Sequence, residues 1–136
     1  MPGGISFDRV APIYDVTRAL PPGVEQSVAD LLARVLGDER TLELGAGTGR
    51  WARPLEKRGV PIVGVDLGRA MLTVARSKGF GRAVQADAVL LPFRDDAFDG
   101  ALASHLLHLV YDVPAVLDEL ARVITGRFRS LLLFET

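Results

Sequence analysis

The densest chemical signal in this 136-residue chain is Leu42-Glu43-Leu44-Gly45-Ala46-Gly47-Thr48-Gly49-Arg50. The short apolar run Thr41 to Leu44 passes directly into a glycine cluster, as a buried strand does where it turns into a helix. Glycine carries no Cβ, so the chain can turn tightly there and its backbone can approach a ligand closely. Asp66 follows 19 positions after Gly47, at the end of the next apolar run, Pro61 to Val65. An acid at that place accepts hydrogen bonds from both hydroxyls of a ribose. Together the turn and the acid point to an adenosine-bearing ligand lying across strand ends. The plainer alternative is a tight strand–helix turn followed by an acid that caps the next helix.

The kind of ligand is narrowed by mismatches. A dinucleotide fingerprint, Gly-x-Gly-x-x-Gly, fits loosely. Counted from Gly45, its third glycine falls on Arg50; counted from Gly47, it falls on Ala52 and Gly49 must serve as the second. Glu43, two residues before the first glycine, would repel a pyrophosphate but suits a cation. No Gly-Lys-Ser/Thr follows, so the turn is not a P-loop.

These residues resemble the first motif of class I S-adenosylmethionine-dependent methyltransferases. Asp66 in Val63-Gly64-Val65-Asp66-Leu67 is similar to their ribose acid. Gln85-Ala86-Asp87-Ala88 with Leu91-Pro92-Phe93 resembles their third motif, and Phe98 to Ser104 their fourth strand. The likeness runs from about Phe7 to Glu135 and is closest to the small-molecule type of ubiquinone and menaquinone biosynthesis, methyltransferase type 11. It implies S-adenosyl-L-methionine as cofactor and a small-molecule methyl acceptor. It also implies roles: the turn Gly45-Ala46-Gly47 against the methionine part, Glu43 adding negative potential, Asp66 on the ribose, Leu67 and Met71 on the adenine. Asp87 would accept from the adenine amino group and the Ala88 N–H would meet a ring nitrogen. Ser104 or His105 would face the methionine end, and Tyr14 would lie in an N-terminal element folded over the cofactor. Leu67 and Met71 suit a core equally well, and Asp87 a plain loop. His105 reads either as a general base or as a rim histidine. His105 and His108 are three apart, but no third ligand has a convincing spacing, so no metal is expected.

The elements that must place these residues alternate. Val24, Val28, Leu31, Leu32, Val35 and Leu36 form a helical stripe that Gly37 ends. Helices are also expected over Trp51 to Arg58, Arg69 to Lys78 and Val113 to Ile124. Strands are expected at Thr41 to Leu44, Pro61 to Val65, Arg82 to Ala86, Phe98 to Ser104 and Ser130 to Phe134. Asp95, Asp96 and Asp99 read as solvated turn residues. Continuous apolar strands alternating with helices argue for a parallel sheet covered on both faces. The expected fold is therefore α/β, a doubly wound, Rossmann-like, mostly parallel sheet of five strands, which the family resemblance implies lie in the order 3-2-1-4-5. Residues 1–136 are expected to form a single domain, with 1–23 as an N-terminal arm. The family's sheet has two further strands; the chain stops at Thr136, so the expectation is a fold lacking them, with weak or absent turnover. The family's Pro-Gly-Gly turn before its fifth strand is here Thr125-Gly126-Arg127.

Composition closes off other classes. The charge of -1, from 16 basic and 17 acidic residues, offers no basic excess for a nucleic-acid partner. The absence of cysteine excludes a disulfide scaffold, a thiolate metal site and a cysteine nucleophile, and suits a cytoplasmic setting. No apolar run approaches the ~18 residues of a membrane span, and the N-terminus shows no signal-peptide pattern. The uncharged run Leu131 to Phe134 predicts a homodimer through an exposed last strand. Two rival functions stay open: a non-catalytic S-adenosylmethionine-binding remnant or regulator, and a nicotinamide-dinucleotide protein.

Overall fold

A computed structural model describes residues 8–13, 19–104, 110–125 and 130–134. Tyr14, His105 and His108 lie outside the described residues, as does the turn at 126–129. A 3₁₀ segment, Asp8–Ile13, precedes helix α1 (Val24–Leu36). Strand β1 (Thr41–Leu44), helix α2 (Ala52–Lys57), strand β2 (Ile62–Asp66), helix α3 (Arg69–Ser77) and strand β3 (Ala83–Gln85) follow. Strand β4 (Gly100–Ser104), helix α4 (Val113–Val123) and strand β5 (Ser130–Phe134) complete the described elements.

The five strands form one sheet in the order β3-β2-β1-β4-β5, and every pair is parallel. This is the order that the family resemblance implies. All four residues of β1 are buried, as both faces of the sheet's middle strand are covered. On one face Ile62, Leu102 and Ala83 pack under α1, α2 and α3 through Leu36, Trp51, Leu55, Leu72 and Phe80. On the other, Leu42, Leu44, Val65 and Ala101 pack under α4 through Val116, Leu120 and Val123. Period-two alternation along β1 thus turns Leu42 and Leu44 towards α4, and Thr41 and Glu43 towards α1–α3.

Two expectations need correction. The α1 stripe is wider than its contact with the sheet: Ala29, Leu32 and Leu36 are buried, while Val24, Leu31 and Val35 stay exposed. Asp99 is no solvated turn residue. Both its oxygens are taken by the Arg40 guanidinium, at 2.8 and 3.1 Å, and Oδ2 also accepts from the Arg40 N–H at 3.0 Å. The Asp99 N–H donates back to the Arg40 carbonyl at 2.8 Å. This four-bond clamp joins the starts of β1 and β4, the end of the sheet away from the glycine turn. Asp95 pairs with Arg122 at 3.0 Å; Asp96 is exposed, in the left-handed region with φ 56°.

Candidate functional site

Strand order reverses at β1, which has β2 on one side and β4 on the other. In open α/β sheets the crevice outside the strand C-termini at such a reversal is where ligands bind. The described candidates all lie at this end: the turn 45–49 after β1, Asp66 closing β2, Asp87 after β3 and Ser104 closing β4.

The turn is held by β2. The Gly45 and Ala46 N–H groups both donate to the Val65 carbonyl, at 2.8 and 3.0 Å. The Gly47 N–H donates to Asp66 Oδ2 at 2.9 Å, and the Gly68 N–H to Oδ1 at 2.8 Å. Asp66 therefore staples the glycine turn to the start of α3 before any ligand arrives. A carboxylate can accept several hydrogen bonds at once, so the same group can also meet the hydroxyls of a ribose. Gly47 has φ 56°, and a Cβ there would come within 3.3 Å of Met71 Cε. The left-handed conformation favours glycine, and a Cβ would also press on the end of the Met71 side chain, which is itself buried.

Glu43 is the electrostatic anomaly. It is 1% exposed, and its Oε1 has no hydrogen-bond partner among the described residues. The Ala52 N–H at the start of α2 bonds its carboxyl group. Burial pushes the carboxyl well above the usual carboxylate range, the Asp66 charge pushes it further, and the Ala52 N–H opposes both. A buried acceptor without a donor is costly. A cationic group with donors of its own would satisfy it.

The remaining candidates form the rim. Leu67 is half-buried and its carbonyl accepts from Gln85 Nε2 at 3.0 Å, tying the end of β2 to β3. Asp87 Oδ1 accepts from the Val89 N–H at 3.1 Å, which turns the chain at Ala88. Ala88 packs at the edge of the α4-side core, and Ser104 is half-buried. The structure thus brings together Glu43, Gly45, Ala46, Gly47, Asp66 and Met71, with Leu67, Asp87, Ala88 and Ser104 around the same strand ends.

Sequence reasoning missed the supports. Glu119 accepts from the Leu91 N–H at 2.7 Å and is held in a fork by Arg122 at 2.9 Å on each arm. Arg122 also reaches the Leu91 and Phe93 carbonyls, at 3.0 and 2.7 Å. The last turns of α4 therefore fix the loop beyond Asp87. Arg50 bonds Glu25 of α1 at 2.8 Å and lies over the Trp51 ring. No spacing rule connects residues so far apart in the chain. A signal did exist for Gly64: a glycine between two valines inside a strand marks a close approach.

A glycine turn after β1, a ribose-type acid closing β2 and a buried acid suited to a cation define a Rossmann-like S-adenosylmethionine-dependent methyltransferase domain. Residues 42–127 match the family described as methyltransferase domain, and the chain belongs to that family. It is 39% identical over 134 residues to a demethylmenaquinone methyltransferase of Clavibacter sepedonicus, covering 90% of this chain and 54% of that protein. It is 33% identical over 129 residues to the biotin biosynthesis bifunctional protein BioHC of Cellvibrio japonicus, covering 93% and 26%. Among solved structures it resembles an S-adenosylmethionine-dependent methyltransferase of Thermotoga maritima described as a possible histamine N-methyltransferase. That match has a TM-score of 0.73 and 29% identity, covering 88% of this chain and 55% of the other. The chain spans about half the length of several curated relatives it matches. The family's cofactor is S-adenosyl-L-methionine, which removes the ground for the nicotinamide-dinucleotide alternative. Among the described residues no helix is long and apolar enough to cross a membrane.

Proposed function

We propose that this chain binds S-adenosyl-L-methionine at the ends of β1, β2 and β3 and supports methyl transfer to a small-molecule acceptor. The observation that carries the proposal is the pairing of a buried, unsatisfied Glu43 oxygen with the Asp66-stapled glycine turn. The cofactor, when bound, supplies an electrophilic sulfonium methyl open to in-line attack. Asp66 accepts from the ribose hydroxyls. The backbone of Gly45, Ala46 and Gly47 lies along the methionine part, and Glu43, drawn to its ionised form by the arriving cation, supplies the negative potential that favours it. Leu67 and Met71 flank the adenine, Asp87 accepts from its amino group, and the Ala88 N–H donates to the ring. Ser104 or His105 would face the methionine end, and the family resemblance gives the N-terminal element with Tyr14 the part of folding over the cofactor. The chain's contribution to rate is chiefly positioning and exclusion of water, with His105 as the acceptor's base where the acceptor carries a proton.

Calorimetric titration with S-adenosylmethionine and its demethylated product, with NAD as competitor, tests the binding half. Transfer of labelled methyl groups to a panel of small acceptors, starting with a demethylated naphthoquinol, tests the catalytic half. Binding without transfer to any acceptor would favour the non-catalytic binder, and preference for NAD would overturn the assignment. We also propose one domain over 1–136 with its arm at 1–23, a cytoplasmic location suited to a cysteine-free chain, and a homodimer. β5 pairs with β4 on one side, and no described strand pairs with its other edge. Such an edge recruits a second strand, most simply across a two-fold axis. Light scattering should give a dimer mass that Leu132→Lys halves. A monomer at high concentration refutes the dimer.

A further inference from the structure

Gly64 sits in the middle of β2, where its backbone is ordinary: it is absent from the glycines with positive φ. Any residue could adopt its conformation, so the requirement there is for space. A Cβ at this position would lie 2.5 Å from Ala46 Cβ, well inside van der Waals contact, and 3.2 Å from Phe80 Cε2. Gly59 and Gly79, by contrast, have nothing within 4 Å of an added Cβ. The Ala46 methyl therefore occupies the place of the missing side chain. Ala46 cannot retreat freely, because its N–H donates to the Val65 carbonyl at 3.0 Å and its carbonyl accepts from the Gly49 N–H at 3.0 Å.

Gly64 and Asp66 are two apart on a strand, so they face the same side. The next residue after Ala46 is Gly47, whose N–H meets Asp66 at 2.9 Å. β2 thus presents a socket and a carboxylate in succession, and the turn presents a methyl and an N–H in the matching order. We infer that Gly64 is a positioning residue, whose missing side chain seats Ala46 and so sets the Gly47 N–H against Asp66 in the cofactor turn. The inference rests on the reading that this turn holds the cofactor. A methyl at position 64 must push Ala46 away by about 1 Å, and a hydrogen bond of ordinary length does not survive that at both Val65 and Asp66.

The test is a cycle of three variants: Gly64→Ala, Ala46→Gly, and both together. Ala46→Gly serves as the reference of the cycle, because it changes the cofactor turn itself and carries whatever binding cost that change has. Gly64→Ala should weaken binding on the order of 10–100-fold, as a displacement of about 1 Å does. The double variant should return close to Ala46→Gly, because the colliding methyl is gone. Amide exchange at Gly47, measured without ligand, should be slow in the parent and the double variant and fast in Gly64→Ala. If Gly64→Ala does not fold, the double variant decides: folded with a protected Gly47 supports the seat, unfolded overturns it. Unchanged affinity and Gly47 protection in Gly64→Ala overturns the inference. So does a folded double variant without recovery, since the effect then runs through Phe80 and the core. If the parent binds no cofactor, the proposed function fails, while the ligand-free exchange comparison still judges the seat.

Discussion

Replacing Asp66 by Ala removes more than a ligand contact. Its carboxylate accepts two backbone N–H groups, from Gly47 at 2.9 Å and Gly68 at 2.8 Å. Each bond to a charged acceptor contributes roughly 1.5–3 kcal/mol, and the half-buried position lets water recover part of it. The ligand-free protein should therefore lose about 2–4 kcal/mol, which for a domain of this size lowers the melting temperature by roughly 6–18 °C. Asp66→Asn keeps one acceptor and points an NH₂ at the other donor, so it should lose about half as much. Thermal and urea melts without ligand measure the first effect. Calorimetric titration with S-adenosylhomocysteine measures the second, a further loss of at least about tenfold in affinity as the ribose hydroxyls lose their acceptor. A ligand-free Asp66→Ala protein that melts within about 2 °C of the parent would refute the stapling argument. Unchanged affinity would refute the ribose assignment.

Glu43→Gln should raise ligand-free stability and weaken binding of the cationic cofactor by about tenfold, while the neutral demethylated product is affected less. The folded-state pKa of Glu43 is raised, so its favourable, protonated form is fully present below about pH 4.5 and its contribution is lost as pH rises through the folded value. The stability gain of Glu43→Gln should therefore grow with pH above that point; parallel urea-melt profiles from pH 5 to 9 would show the carboxyl to be ordinary. For Glu119 the sign is opposite. The Arg122 hydrogen bond lowers its pKa, so its stabilisation is present above the ordinary glutamate value and is lost as pH falls through the lowered one. Glu119→Gln should melt a few degrees below the parent at pH 7, and the two should converge in acid once the pH falls below the lowered value; a gap that persists there would assign the effect to packing.

What was legible in the sequence was what repeats or stays local. Continuous apolar strands between amphipathic helices pointed to a parallel sheet, the family resemblance supplied the order 3-2-1-4-5, and short-range glycine and acid spacing located the turn and Asp66. Burial was less legible. Val24, Leu31 and Val35 belong to the α1 stripe by periodicity, yet they stay exposed while Ala29, Leu32 and Leu36 are buried. Long-range polar partners were not legible at all. Asp99 reads as one more aspartate in a polar turn until Arg40, 59 positions earlier, is brought beside it. Glu119 and Arg122 look like an ordinary helical pair, and only the fold shows the Leu91 N–H between them and the site. Asp66 was readable as a ligand acid, but its second duty towards Gly47 and Gly68 depends on how the turn lies across β2.

The Arg40–Asp99 clamp also bears on the order in which the sheet assembles. It closes a 59-residue stretch of chain, whereas β1 meets β2 across a much shorter one. Ring-closure entropy grows as about 1.5 RT ln n, which makes the longer closure dearer by roughly 1 kcal/mol before any contact is counted. Connectivity therefore favours zipping β1, β2 and β3 together first and adding β4 and β5 to a nucleus already formed. Pulsed hydrogen exchange during refolding should show Val63 and Val65 protected before Leu102, and simultaneous protection would refute this order. The early half is the one that carries Gly47, Asp66 and Asp87, so the cradle is finished while the polypeptide is still incomplete on its other side. A nucleoside-bearing ligand could then act as a folding template, gripping a half-built sheet and biasing the chain towards completion.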